Sequence, residues 1–191
     1  MMTLIPLLLF LFVVGGAVAY VVTLYNGLIA VKNNVDKAWA NIDVLLRQRH
    51  DELPNLVEVC KGYMKYEQDT FQKITQARSA YSQATTVDQK AEASATLTSA
   101  VGRLIATAEN YPELQANNNF MQLQSRITDL ESQIADRREF YNDSVNTFNI
   151  RIQEMPDAIL AGTMGLTPRQ MFHVAEMDKA PVAVSFADVS H

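Results

Sequence analysis

The sequence predicts an all-α protein in which an N-terminal transmembrane helix continues into an up-and-down antiparallel bundle of three long helices plus a short C-terminal helix. Three observations carry that expectation. Lys32 is the first charged side chain, behind an apolar run from Leu4 to Leu24. Beyond that run the apolar residues recur at steps of three and four, the spacing of a helix with one buried face. The 191 residues include only 7 glycines and 6 prolines, too few to punctuate a fold of many short strands. A chain of this length has room for an anchor and one compact domain. The expected division is an anchor over 1–27, a helical bundle domain over 28–165, and a short helix with a loosely ordered tail over 166–191.

The apolar run is roughly 21 residues long, enough at about 1.5 Å per residue to cross a hydrocarbon core of about 30 Å. Gly15 and Gly16 are tolerated within it, because lipid offers the backbone no other hydrogen-bond partner. Tyr20 and Tyr25 fall near its exit, where amphipathic rings suit the interface. A cleaved signal peptide is the rival reading, with Ala17-Val18-Ala19 as the small-x-small triplet. The uncharged n-region and the continuation of the apolar run past the triplet favour a retained, single-pass anchor. No Lys or Arg precedes the span, whereas Lys32 and Lys37 follow it, with Arg47 and Arg49 beyond. That bias places the soluble domain in the cytoplasm.

Leu28, Val31, Val35, Ala38, Ile42 and Leu45 form the first stripe, and no turn signal separates it from the span, so one continuous rod is expected. The stripe runs on through Arg49, Leu53, Leu56, Cys60, Tyr63, Glu67, Ile74 and Tyr81. Pro54 lies inside it and predicts a kink, since proline forfeits a backbone hydrogen bond. Ser82 to Asp88 reads as the first connection, and a second helix follows over about 89–108. Glu109-Asn110-Tyr111-Pro112 ends that helix, since proline disfavours helix in the residue before it, and Asn117-Asn118-Asn119 offers N-caps for the third helix. There Phe120, Ile127, Ile134, Tyr141, Phe148 and Met155 stand seven apart, joined by Leu123 and Leu130 and later by Val145 and Ile152, a coiled-coil or bundle seam. Pro156 stops it. A short helix over 157–161 ended by Gly162, and a further turn opened by Thr167-Pro168, complete the reading. From Ala180 the tail is expected to be loose, the alternatives for VAVSF being a strand edge or a segment docked on the bundle.

Charged residues on or beside the buried stripes are the candidate functional positions. Arg49, Glu67, Arg78 and Arg137 occupy apolar positions, while Glu131 lies beside the third stripe near Arg138. Buried charges require partners, so a buried ion-pair network across the bundle is expected, for example Arg49 or Arg78 with Glu67 or Glu131. A polar pocket lined by Arg49, Glu67 and Arg78 is the sharper reading of the same residues.

No catalytic, cofactor or metal site is expected. The lone Cys60 permits neither an internal disulfide nor a cysteine-based zinc site, and it sits on an apolar stripe as a small core residue. His50, His173 and His191 share no helical face, and no Glu-x-x-His pair occurs. Gly-x-Ser-x-Gly and phosphate-cradling glycine loops are absent from the sequence. With a net charge of -5 and no basic stripe, nucleic acid is not an expected partner. Trp39 fits either the membrane interface or the bundle core.

The chain resembles the LemA family of bacterial membrane proteins. The resemblance starts at Tyr25-Asn26 and Ala38-Trp39-Ala40-Asn41-Ile42-Asp43, and is densest from Arg49 to Glu58 (RHDELPNLVE). It continues through Lys61-Gly62-Tyr63, Glu67, Ala77-Arg78 and Ala108 to Asn117 (AENYPELQAN). A last block holds Glu131, Ile134, Arg138, Tyr141-Asn142, Val145 and Asn149, so the resemblance spans about 25–165. Leu130, Ser132 and Met155 depart from it, where the family usually has Thr, Asn and Phe. The resemblance implies an N-terminal anchor in the bacterial inner membrane, an up-and-down bundle and no known enzymatic activity. Magnetosome-associated members imply a role in organising membranes or membrane complexes. The expected function is therefore a membrane-anchored scaffold or adaptor whose partners are the bilayer, other membrane proteins and itself. The alternative is a ligand-sensing or signalling module.

Overall fold

The computed structural model describes residues 4–173, and every regular element among them is helical. α1 (Leu4–Tyr63) is followed by α2 (Gln68–Gln83), α3 (Val87–Ala108), the single turn α4 (Pro112–Gln115), α5 (Asn118–Arg151) and α6 (Asp157–Thr163). α1 is unbroken over 60 residues, about 90 Å at 1.5 Å per residue. Its first part is long and apolar enough to cross a membrane and is exposed around its whole circumference. From Leu28 onward one face turns inward against the rest of the chain.

α5 runs antiparallel to α1. Arg151 stands beside Gly27, Arg49 meets Glu131 midway, and Asn117 reaches Tyr63 at the far end. α2 and α3 form a hairpin laid over the far half of that pair. Its turn is fixed by a capping box in which Thr86 accepts from the Gln89 N–H while the Gln89 side chain accepts from the Thr86 N–H. The far core joins Leu53, Leu56 and Cys60 of α1 to Phe71 and Ile74 of α2, Leu97 and Leu104 of α3, and Phe120 and Ile127 of α5. Nearer the apolar span only the closed end of the hairpin, with Tyr81, Ala91 and Ala93, still contributes. There Leu28, Val35, Ile42 and Leu46 pack against Tyr141, Val145, Phe148 and Ile152, and Ala161 and Phe172 close the gap.

Several boundaries differ from the sequence-based expectation. The first stripe does not run to Tyr81 as one helix, because the chain reverses at 64–67. Met64 is buried in that turn and its N–H still bonds the Cys60 carbonyl, so four long helices stand where three were expected. Leu46, not Leu45, carries the buried stripe onward. α5 ends at Arg151, and Met155 is exposed outside it. On α5 the main seam holds as expected, with Phe120, Ile127, Ile134, Tyr141 and Phe148 all buried at steps of seven. Arg137, seven beyond Leu130, is nonetheless exposed, because the second stripe of a nearly straight helix drifts on to Val145, and Arg138 is half-buried. α6 extends to Thr163, past the Gly162 expected to end it, and the left-handed residue that follows is Gly165, at φ 63°. Thr167-Pro168 opens no helix, since 166–173 are irregular and run back along α5. The tail from Ala180, VAVSF and His191 lie outside the described residues.

Candidate functional site

Midway along the bundle, Arg49 projects from α1 into the space between α3 and α5 and is only 1% exposed. Its guanidinium donates to Glu131 Oε1 at 2.6 Å, to Thr98 Oγ1 at 2.9 Å and to Ser94 Oγ at 2.8 Å. Thr98 in turn donates its hydroxyl to Glu131 Oε2 at 3.0 Å, so both carboxylate oxygens are engaged. Three helices are thereby tied at one level. A buried charge is tolerated here because a countercharge and two hydroxyls replace the water it gave up.

The other candidate charges do not join that node. Arg78 donates through Nε to the His50 carbonyl at 3.2 Å. Pro54 has no N–H to offer that carbonyl, which an i to i−4 ladder would otherwise satisfy, so Arg78 fills the place the proline vacates. α1 accordingly passes through Pro54 without interruption. Glu67 lies at the α1–α2 turn, where it accepts from the Tyr111 hydroxyl at 3.4 Å. Arg137 and Arg138 form no ion pair among the described residues. Arg49, Glu67 and Arg78 therefore line no shared pocket. The Arg49 node is filled by its own side chains.

A second polar group sits closer to the span. Lys90 of α3 donates to Asp43 at 2.5 Å, and Arg47 pairs with the same carboxylate. Burial pushes the Asp43 carboxyl up, but the hydrogen bond and charge of Lys90, with Arg47 beside it, outweigh that and hold it below its ordinary value. The Lys90 ammonium also lies over the Trp39 ring at 5.5 Å. Trp39 is thus a bundle residue, tilted against Tyr141 and Phe172 at centroid distances of 5.6 and 6.2 Å. Burial, and after it the Asp43 charge, pushes the neighbouring Tyr81 phenol up to about 12.

Sequence reasoning missed a third arrangement. Asn149 donates to the Arg169 carbonyl at 2.9 Å and accepts from the Arg169 N–H at 2.7 Å. Asn142 treats Phe172 in the same way, at 3.3 and 2.7 Å. Seven helical residues rise about 10.5 Å, and three extended residues cover about 10 Å, so the two amides match two rungs of an extended segment. The segment 166–173 is a strap, clamped through its backbone and seated by the buried Phe172. The spacing of Asn142 and Asn149 was the available signal. Between the strap and α5 lies a cleft of about 580 Å³, with Lys32, Thr167, Arg169 and Gln170 in its wall.

Nothing in these arrangements presents a reactive group. Cys60 is buried and its thiol is pushed up to about 11 by that burial, far from the thiolate a nucleophile needs. His50 contacts Asp51 and Ser82, and His173 is exposed at the end of the strap. Among the described residues no cluster of three or more His, Cys, Asp or Glu is placed to hold a metal ion.

Comparison with known proteins gives a consistent result. The sequence model of the LemA family matches residues 38–186. The chain is 23% identical to the magnetosome protein MamQ of Magnetospirillum gryphiswaldense, over 86% of this chain and 71% of that protein. It is 23% identical to magnetosome protein MamQ 2 of Paramagnetospirillum magneticum, over 87% and 72% respectively. To protein LemA of Metamycoplasma hominis it is 27% identical, over 84% of this chain and 74% of the relative. None of these names is that of an enzyme.

Proposed function

The chain belongs to the LemA family, and on that premise we propose that it is a membrane-anchored, non-enzymatic scaffold or adaptor acting through protein–protein contacts of its bundle. It assembles with itself or with other membrane proteins, and it stands in the bacterial cytoplasmic membrane with the bundle in the cytoplasm. The observation that carries this reading is the continuity of α1. One helix serves as both span and bundle element, so a load or partner on the bundle is coupled rigidly to the bilayer. The interior charges favour the same reading, since Arg49, Glu131, Asp43 and Lys90 are committed to one another rather than to a ligand. Lys32 and Lys37 beyond the span support the cytoplasmic side. Relatives named as magnetosome proteins favour an assembly role.

The far tip is where contacts are most accessible, with Tyr66 94% exposed in the α1–α2 turn and Met121 exposed nearby on α5. Aromatic and methionine side chains of this kind are enriched where proteins meet. The test is photo-crosslinking in cells, with a benzophenone amino acid in place of Tyr66, Val44 or Phe140, one position at a time. A discrete adduct from at least one position, containing either a second copy or one recurrent membrane protein, is expected. Uncrosslinked monomer at all three positions would sink the scaffold reading. The ligand-sensing alternative has one observation in its favour, the strap cleft with its Lys32 and Arg169 cations. Monomer only, with a thermal shift on adding small anions, would select it.

A further inference from the structure

α6 sits at a height that the bundle alone does not explain. It packs beside Tyr20, Val21 and Leu24, and the crevice between them, about 220 Å³, is walled by Pro156, Ile159 and Leu160 on the α6 side. Tyr20 to Leu24 is the last turn of the apolar run that reads as the membrane span. A helical turn rises about 5.4 Å, so α6 lies alongside the final turn of the span rather than above it. Its outward side chains suit that level. Ile159, in the wall of that crevice, is 64% exposed, and Met155, next to Pro156 of the same wall, is 74% exposed, so both extend an apolar surface that begins on the span.

The polar groups next to α6 are arranged on the other side. Arg151 pairs with Asp157 at 2.9 Å, and its guanidinium lies so close over Gly27 that a Cβ there would overlap it. Gly27 is nearly one turn beyond Leu24, toward the bundle. Apolar atoms therefore fall at the depth of the span's end, and the ion pair falls just outside it, where headgroups and water begin. This is the order of an amphipathic element lying in a membrane interface, with its apolar face sunk about 5–10 Å.

We propose that Met155 and α6 form a seat for the bilayer: Ile159 and Met155 enter the acyl boundary of the leaflet on the bundle's side, and lipid chains fill the crevice against Val21 and Leu24. The occupant is lipid because the exposed apolar surface of α6 is continuous with that of the span, and whatever solvates one must solvate the other. The seat gives the bundle a second point of contact with the membrane, so it stands at a fixed height and tilt instead of pivoting on α1. This inference rests on the anchored reading given above.

The experiment places an environment-sensitive NBD label on the full chain in vesicles of phosphatidylcholine and phosphatidylglycerol, through Ile159→Cys, Tyr66→Cys or Leu8→Cys. Cys60 is retained, since it is buried and its thiol does not ionise near neutral pH. All three labelled positions are exposed, so folding is not at risk. Expected at position 159 are a blue-shifted emission, strong quenching by lipids spin-labelled near the headgroup end of the acyl chain, and iodide quenching several-fold weaker than at position 66. Iodide quenching at 159 equal to that at 66, with lipid quenching retained at position 8, would overturn the seat and leave the anchor standing. Loss of lipid quenching at position 8 as well would remove the anchor and the seat together.

Discussion

Arg49 and Glu131 differ in how much water each can reach, and that difference decides what each substitution does. The Arg49 side chain is 1% exposed against 25% for Glu131. Removing Glu131 strands a buried guanidinium, a loss on the order of 3–5 kcal/mol. Removing Arg49 leaves a carboxylate that is able to turn toward solvent. Glu131→Leu is therefore expected to lower the unfolding free energy more than Arg49→Met, and the double variant is expected to recover part of the Glu131→Leu loss. Urea unfolding in mild detergent measures all three. Equal single losses that simply add in the double variant would show that the pair is not an energetic unit. This pairing was half-legible in the sequence, because a charge on an apolar stripe announces that it needs a partner. The Arg78 contact was not, because its acceptor is a main-chain carbonyl released by Pro54. Side-chain pattern holds no record of which carbonyls go unpaired.

At the scale of elements, α1, α3, α5 and the fold class followed from periodicity, while the break between α1 and α2 did not. The turn at 64–67 contains no Gly, Pro, Asn or Asp, and Cys60, Tyr63 and Glu67 keep helical spacing straight through it. What bends the chain there is tertiary, since Met64 is drawn into the far core and Glu67 meets Tyr111. The strap was barely legible, its one signal being the spacing of two asparagines, for a related reason. Asn142 and Asn149 hold backbone rather than side chains, so the sequence of 166–173 shows little trace of being held apart from Phe172. Each amide makes two hydrogen bonds, each worth on the order of 1 kcal/mol. Asn142→Ala or Asn149→Ala is expected to loosen the strap without altering the helices. Trypsin then cuts after Arg169 several-fold faster while far-UV circular dichroism stays unchanged. Cleavage at Arg169 as slow as in the unsubstituted chain, for both variants, would show that Phe172 alone seats the strap.

The molecule as a whole divides between two solvents at a single helix. No described side chain before Leu28 is buried by the protein, whereas from Leu28 onward one face of α1 is buried in two successive apolar clusters with Arg49 between them. Burial of apolar surface is the main favourable term in folding, so the bundle owes little of its stability to the span. A chain that starts at Leu28 is expected to remain soluble and helical, and to melt cooperatively with a midpoint close to that of the full chain in detergent. Hydrogen exchange is expected to match over α2, α3 and most of α5, and to quicken only at α6, which loses the wall formed by Tyr20, Val21 and Leu24. A non-cooperative melt, or exchange quickened throughout α5, would mean that the first 27 residues are part of the folding unit. Retention of the melt with loss confined to α6 would instead separate the two roles of α1. The bundle would then fold on its own core, and the span would determine only where that core stands and what surface it leans on.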